Sequence, residues 1–319
     1  MCGEEVACTN DELPCELNPV ANAWMKSTNV TLDQGRSEGF SILSLMFFSG
    51  QLDPSDFGGP TVADLRLTGN AKLQQELAYW AATQAIPSAT VNDVRYQANE
   101  VVPFLAEVLS PDSQNHYRLA IAQRTEGGFQ GGHALTPIGY YKGEGDVYWL
   151  RVYDNNFPEK ERRLEIDPVA NTWRYEFPAL GGDPIVYEGT PDNGNLMYFS
   201  PINDRVGTLE CPFAADSQTK TIAYAGVTLV ETTEDGSQTG FVDGKVVESG
   251  GGKVVPAFAS CPRCGESLQV INQRSMAAGV KAISVKSTGD VTTSESSTGF
   301  ITGSGPNYTS TVTPEGNTQ

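Results

Sequence analysis

The chain has 319 residues, with 39 Asp and Glu against 21 Lys and Arg, and a formal net charge of −18 at neutral pH. That length exceeds one typical domain and accommodates two, each with enough apolar content for a core. A surface this acidic, with scattered Lys and Arg and no basic run, repels phosphate backbones and anionic lipid, which excludes nucleic acid as a partner.

Residues 1–30 read as an irregular segment pinned by Cys2, Cys8 and Cys15. The start, Met1-Cys2-Gly3, resembles a mature exported chain behind an added initiator methionine. That leaves two readings for Cys2: a lipid-attachment cysteine at a cell surface, or part of a flexible end. No signal peptide is visible, and no apolar stretch is long enough for a bilayer span; the longest cluster, Ile42 to Phe48, is interrupted by Ser44. Ser41 to Phe48 reads as a buried helix. Asn70 to Ala85 has helical composition, with Leu73, Leu77 and Trp80 at helical spacing. Val91 to Leu109 is a second helical pattern, with Asn92 or Asp93 as its cap and Pro103 expected to break or kink it.

The texture then changes to strands joined by Gly, Asp and Asn turns: Tyr117–Gln123, His133–Tyr141, Val147–Tyr153, Arg162–Ile166 and Thr172–Phe177. Helices followed by an antiparallel sheet make an α+β pattern. From about Asp204 short strand candidates follow at all-β spacing: Lys220–Glu231, Gln238–Val242, Lys245–Val247, Lys253–Phe258, Leu268–Asn272 and Val280–Lys286. They predict a small β-sandwich or barrel with its own core around Val227, Val242, Val255 and Val270. Residues 287–319, rich in Ser, Thr and Gly, form either a final hairpin or a mobile tail. The expected division is therefore 1–30, 31–203, 204–286 and 287–319.

A serine or cysteine hydrolase needs a nucleophile, a base within hydrogen-bond reach and a third group to orient the base. The chain has 2 histidines. His116 stands beside a turn at the start of a strand, whereas His133 follows glycines that allow close approach and opens a strand, so His133 is the better base. The next strand ends in Asp154-Asn155-Asn156. If the two strands pair antiparallel, Asp154 or Asn155 comes beside His133 and can hold the imidazole tautomer. The same residues also suit an ordinary turn.

The order nucleophile, His, Asp/Asn resembles that of papain-like peptidases. Ser37-Glu38-Gly39-Phe40-Ser41 matches the papain-type stretch Cys-Trp-Ala-Phe-Ser in register at Phe40 and Ser41, and it also fits a Cys-x-Gly-Met-Ser-like motif. GHALTPIGYY followed by VYWLRVYDNNFP resembles the His strand and orienting strand of bacterial exported members of the family. The resemblance covers roughly residues 30 to 180. It implies a papain-like domain with Ser37 at the nucleophile position, His133 as base, Asp154 as orienter and Gln34 as a candidate oxyanion-hole glutamine, although Gln34 lies closer to the nucleophile than the family places it.

Serine at position 37 departs from the family. A neighbouring imidazolium lowers a thiol into the neutral range but cannot ionise a hydroxyl, and Glu38 adds a negative charge beside it. The expected function is therefore an exported pseudopeptidase in a binding or assembly role, with a peptide or protein ligand. Its rivals are an active hydrolase using Ser37-His133-Asp154 and a structural extracellular protein that self-associates.

The chain has 6 cysteines, and Cys211, Cys261 and Cys264 form the second group. Cys261-Pro262-Arg263-Cys264-Gly265 has the form of a zinc half-site, and Cys211-Pro212-Phe213-Ala214 has the outline of another with alanine at the second ligand position. Structural zinc there needs a fourth ligand such as Asp216. The favoured reading is a disulfide joining Cys211 to Cys261 or Cys264, in an oxidising extracellular compartment; free thiols are the remaining reading. No other cofactor is indicated.

Overall fold

The computed structural model describes residues 2–9, 14–125, 128–178, 183–212, 219–224, 229–233, 235–256, 258, 270–275, 282–287, 291–292, 302–303 and 307–311. Its first part is α+β. After a short helix α1 (Glu4–Ala7), α2 runs from Pro19 to Gln34. Asn18 Oδ1 accepts the amide of Ala21 at 2.8 Å, and Pro19 occupies the first helical turn, where its missing N–H costs nothing. This helix begins inside the stretch expected to be irregular; the Asn-Pro pair is its start signal. Gly35, with φ 143°, makes the corner into α3 (Ser37–Phe48).

α4 (Ala71–Ala82) is capped by Asn70, whose side chain accepts the amide of Leu73 at 3.1 Å, and it buries Leu73, Leu77 and Trp80. The second helical pattern divides. Val94–Tyr96 is strand β1, and α5 (Ala98–Val108) starts at Gln97 with a capping box to Glu100. Asn92 and Asp93 cap nothing there: Asn92 Nδ2 donates to Asp204 Oδ1 at 3.1 Å, and Asp93 faces Arg118. Pro103 lies inside α5, which continues past it.

The main sheet follows: β2 (Tyr117–Thr125), β3 (Gly128–Lys142), β4 (Tyr148–Tyr153), β5 (Arg162–Asp167), β6 (Thr172–Phe177), β7 (Ile185–Gly189) and β8 (Met197–Pro201). With β1 they form an 8-stranded antiparallel sheet in the order β1-β8-β2-β3-β4-β5-β6-β7. Side chains alternate between its faces. Leu119, Ile121 and Leu135 pack with Val101 and Leu105 of α5, while Ala120, Ala122 and Ala134 face the other way. A further core joins Ile42, Leu45 and Met46 of α3 to Leu73 and Leu77 of α4.

Among the described residues from 219 onward the elements are strands: β9 (Thr219–Tyr224), β10 (Leu229–Thr233), β11 (Gln238–Val242), β12 (Lys245–Glu248), β13 (Gly252–Pro256), β14 (Val270–Ser275), β15 (Ala282–Ser287), β16 (Val291–Thr292), β17 (Thr302–Gly303) and β18 (Asn307–Thr311). They form sheets β12-β11-β10-β15-β18 and β13-β14-β9, with β16 and β17 paired separately. The segment expected as one strand over 220–231 is divided between β9 and β10. The core expected to be private to this part is shared: Leu229, Phe241, Val254, Val255 and Phe258 pack with Ala120, Ala122, Phe129, Ala134 and Tyr198 of the main sheet. Val227 lies outside the described residues.

The disulfides join Cys2 to Cys211 and Cys8 to Cys15. This corrects two expectations. Cys211 is bonded to neither Cys261 nor Cys264, and its sulfur is no longer a thiolate that could bind zinc. Cys2, with its sulfur in the same bond, has no thiol left for a lipid thioether. Cys261, Cys264 and Asp216 lie outside the described residues. Among the described residues, no group of three or more His, Cys, Asp or Glu is gathered as a metal site, and no helix is long and apolar enough to cross a membrane. Disulfides of this kind are compatible with an extracellular protein.

Candidate active site

Ser37 is the first residue of α3, where the free amides and the helix dipole favour negative charge. Its Oγ accepts the backbone N–H of Ala134 at 3.1 Å. The same helix face continues onto β3. Ser41 Oγ donates to the carbonyl of Leu135 at 2.8 Å, and Ser41 and Ser44 both share hydrogen bonds with Thr136 Oγ1, at 3.0 and 2.9 Å. Three serines at i, i+4 and i+7 thus lay α3 along the His-bearing strand. Gly39 lets α4 approach from the opposite side: a Cβ there would stand 2.3 Å from the carbonyl oxygen of Leu77.

His133 is one residue before Ala134. β3 and β4 pair antiparallel with Thr136 opposite Tyr153, so the residue after Tyr153 falls beside the residues before Thr136. His133 Nε2 lies 2.9 Å from Asp154 Oδ1. With Nε2 as the donor, Nδ1 is the basic nitrogen. Asp154 is held in turn: Oδ1 accepts the amide of Asn156 at 2.9 Å, and Oδ2 accepts the hydroxyl of Tyr175 on β6. Burial works against the Asp154 charge, but the hydrogen bond and charge of His133, with Tyr175 and Asn156, hold its carboxyl below the usual carboxylate range. Burial, then the adjacent Asp154 charge, push the Tyr175 phenol far above its ordinary range, so it acts only as a donor. Phe177 stands edge-on to the imidazole, with ring centroids 5.5 Å apart. The solvent exposure of Ser37 is 1%, and of His133 and Asp154 0%.

Of the two orienting candidates, Asp154 meets His133, while Asn155 Oδ1 is buried with no hydrogen-bond partner among the described residues. Gln34 ends α2 at the corner leading to Ser37. His116 lies apart, its ring edge-on to Phe48. His133 lies within β3 rather than at its start, and the glycine two residues before it has a local reason: Gly131 has φ 55°, and a Cβ there would come within 3.2 Å of the Tyr187 hydroxyl.

Glu38 does not act as a bare negative charge beside Ser37. It is fully buried between two arginines, with Arg118 Nε 2.8 Å from Oε2 and Arg205 Nη2 2.9 Å from Oε1. Arg118 also donates to the Tyr198 carbonyl at 3.2 Å and approaches Asp93 at 3.8 Å; Arg205 donates to Thr83 and, at 2.9 Å, to Ser200 Oγ. Burial raises the Asp93 carboxyl despite the arginines, and burial lowers Arg205 despite Glu38. Such a cluster is costly to assemble and costlier to break, because any lost partner leaves an uncompensated buried charge. Sequence reasoning missed both arginines. One signal existed: Arg118 interrupts the alternation of β2 on the face of Ala120 and Ala122, where a charge must have a buried partner.

No protein-family model matches the chain, and neither a curated protein nor a solved structure matches it.

Proposed function

We propose that residues 31–203 are a papain-like peptidase-type domain disarmed at its nucleophile position, and that the protein binds a peptide or protein ligand outside the cell. One observation carries the reading: a hydroxyl at a helix N-terminus bonds to the amide next to a histidine whose Nε2 meets an ionised, hydrogen-bonded aspartate. It shares with a thiolate–imidazolium site the helix N-terminus and the carboxylate-oriented imidazole, with the Ser37 hydroxyl on the amide next to that ring. A serine in it gains nothing from the imidazolium before attack, and it must surrender its proton during the step. The burial of all three side chains supports a site at rest.

The rival reading, hydrolysis by Ser37-His133-Asp154, is favoured by the intact His133–Asp154 contact and by the arginines that offset Glu38. A fluorophosphonate probe separates the two. We expect no label on Ser37; stoichiometric labelling that His133→Ala abolishes would make the protein an active serine hydrolase. In Ser37→Cys, the introduced thiol should react with iodoacetamide with an apparent pKa well below about 8.5, because the helix N-terminus and His133 stabilise the thiolate. An ordinary thiol titration, unchanged by His133→Ala, would remove the peptidase-type reading.

A further inference from the structure

We propose that the β unit around Leu229–Phe258 is a cover seated against the Ser37 site, so that the site is reached only when this unit lifts away. The inference rests on reading Ser37 as the nucleophile position and concerns the regulation of that site. It starts from one face of the main sheet. Ala120 on β2 is registered with Ala134 on β3 and with Tyr198 on β8, and Arg118 and Ala122 stand on the same face. α3 takes the Arg118 end of this face through Glu38. The remaining end, floored by alanines too small to fill it, is filled by residues of the β unit: Phe129 packs against Phe241 with ring centroids 5.9 Å apart, and Tyr198 against Phe258 at 5.3 Å.

The boundary between the two coverings falls at the site itself. Ala134 donates its N–H to Ser37 Oγ and belongs to the cluster that the β unit completes. From the other side, Phe258 lies under the Arg118 guanidinium at 5.2 Å, and Arg118 holds Glu38, the neighbour of Ser37. The backbone N–H of Phe258 donates to Gln84 Oε1 at 2.7 Å. The edge of the contact is polar: Arg95 pairs with Glu248 at 2.8 Å, and Lys253 Nζ donates to the Val91 carbonyl at 3.0 Å. An apolar centre with a polar rim is the anatomy of a docked surface. An alanine-floored surface beside a nucleophile suits an extended peptide, and here aromatic side chains of the same chain occupy it.

The test uses the full chain carrying Ser37→Cys and follows alkylation of that thiol by iodoacetamide, read by peptide mass spectrometry. The parent should react slowly. Adding Phe241→Ala, which hollows the centre of the contact, should accelerate it roughly tenfold or more, because reaction through a rare open state scales with its population. Adding Arg95→Glu, which sets two carboxylates against each other at the rim and removes the guanidinium that lies 5.6 Å over the Tyr198 ring, should accelerate it about two- to fivefold. Val101→Ala, in the core on the opposite face of the sheet, is the control. It should lower the melting temperature and leave the rate as in the parent. Equal rates in parent, Phe241→Ala and Arg95→Glu would overturn the cover, and so would equal acceleration by Val101→Ala. If Phe241→Ala does not fold, Arg95→Glu decides alone. Cover variants that accelerate a thiol of ordinary pKa, indifferent to His133→Ala, would keep the cover and remove the nucleophile reading; an acid-shifted thiol that no cover variant accelerates would do the reverse.

Discussion

Gly39→Ala pits local propensity against tertiary contact. In a helix, alanine ordinarily gains up to about 1 kcal/mol over glycine, so isolated α3 would be stabilised. In the folded protein the added Cβ would stand 2.3 Å from the Leu77 carbonyl oxygen and 2.9 Å from the Ala81 Cβ. A carbon and a carbonyl oxygen come no closer than about 3.3 Å without strain, so the overlap is about 1 Å. The obstructing atom is backbone of α4 and cannot swing aside, so the two helices must part. Overpacking of this kind costs roughly 1–3 kcal/mol, which outweighs the propensity gain. Urea unfolding followed by far-UV circular dichroism should show a lower midpoint at unchanged slope. A midpoint equal to or above that of the parent would refute the close approach of α3 and α4. The same displacement should loosen the Ser37–Ala134 contact, two residues away along α3.

Two further outcomes follow from the site and the disulfides. The carboxyl of Asp154 titrates below its ordinary range in the folded state, so its contribution is present above its unfolded value of about 3.9 and is lost as pH falls through the lower folded value. Tyr175→Phe removes one of the groups that depress it and brings the folded value closer to the unfolded one, so less stability should be lost on acidification and the loss should be complete at a higher pH; melting curves of identical pH dependence would show that the hydroxyl does not hold Asp154. Cys2 and Cys211 are 209 residues apart, against 7 for Cys8 and Cys15. The chain-entropy account gives about 5 kcal/mol for the first bond and about 2 kcal/mol for the second. Cys2→Ser with Cys211→Ser should therefore destabilise the fold more than loss of the short bridge, and a non-reducing peptide map that joined Cys211 to Cys261 or Cys264 would refute the pairing.

Interactions of short range were legible in the sequence. The spacing of Leu73, Leu77 and Trp80 marks the buried stripe of α4, and the Asp-Asn turn after β4 marks the end that antiparallel pairing brings beside His133, although His133 does not open its strand, which begins at Gly128. What escaped was the reading of caps and starts where several residues compete. Asn18-Pro19 opens α2 within a stretch that looks irregular because of its cysteines, and Gln97, rather than Asn92 or Asp93, starts α5 because those two residues are taken by Asp204 and Arg118.

Periodicity, turn residues and the chemistry of His133 and Asp154 by themselves pointed to an α+β first part, a strand-rich second part and a His–Asp pair, because each rests on neighbours within one element or one strand pair, whereas Ser37 was named only through the papain-like resemblance. Only the tertiary structure decided which distant groups meet. It put β8 between β1 and β2, set Glu38 between Arg118 and Arg205 across 80 and 167 residues, and tied Cys2 to Cys211. It also merged the expected second core with the alanine face of the first sheet. The physical reason is the same in each case: a charge, a thiol or an apolar face carries in its sequence the need for a partner, but the partner's identity depends on which surfaces the folded chain brings together.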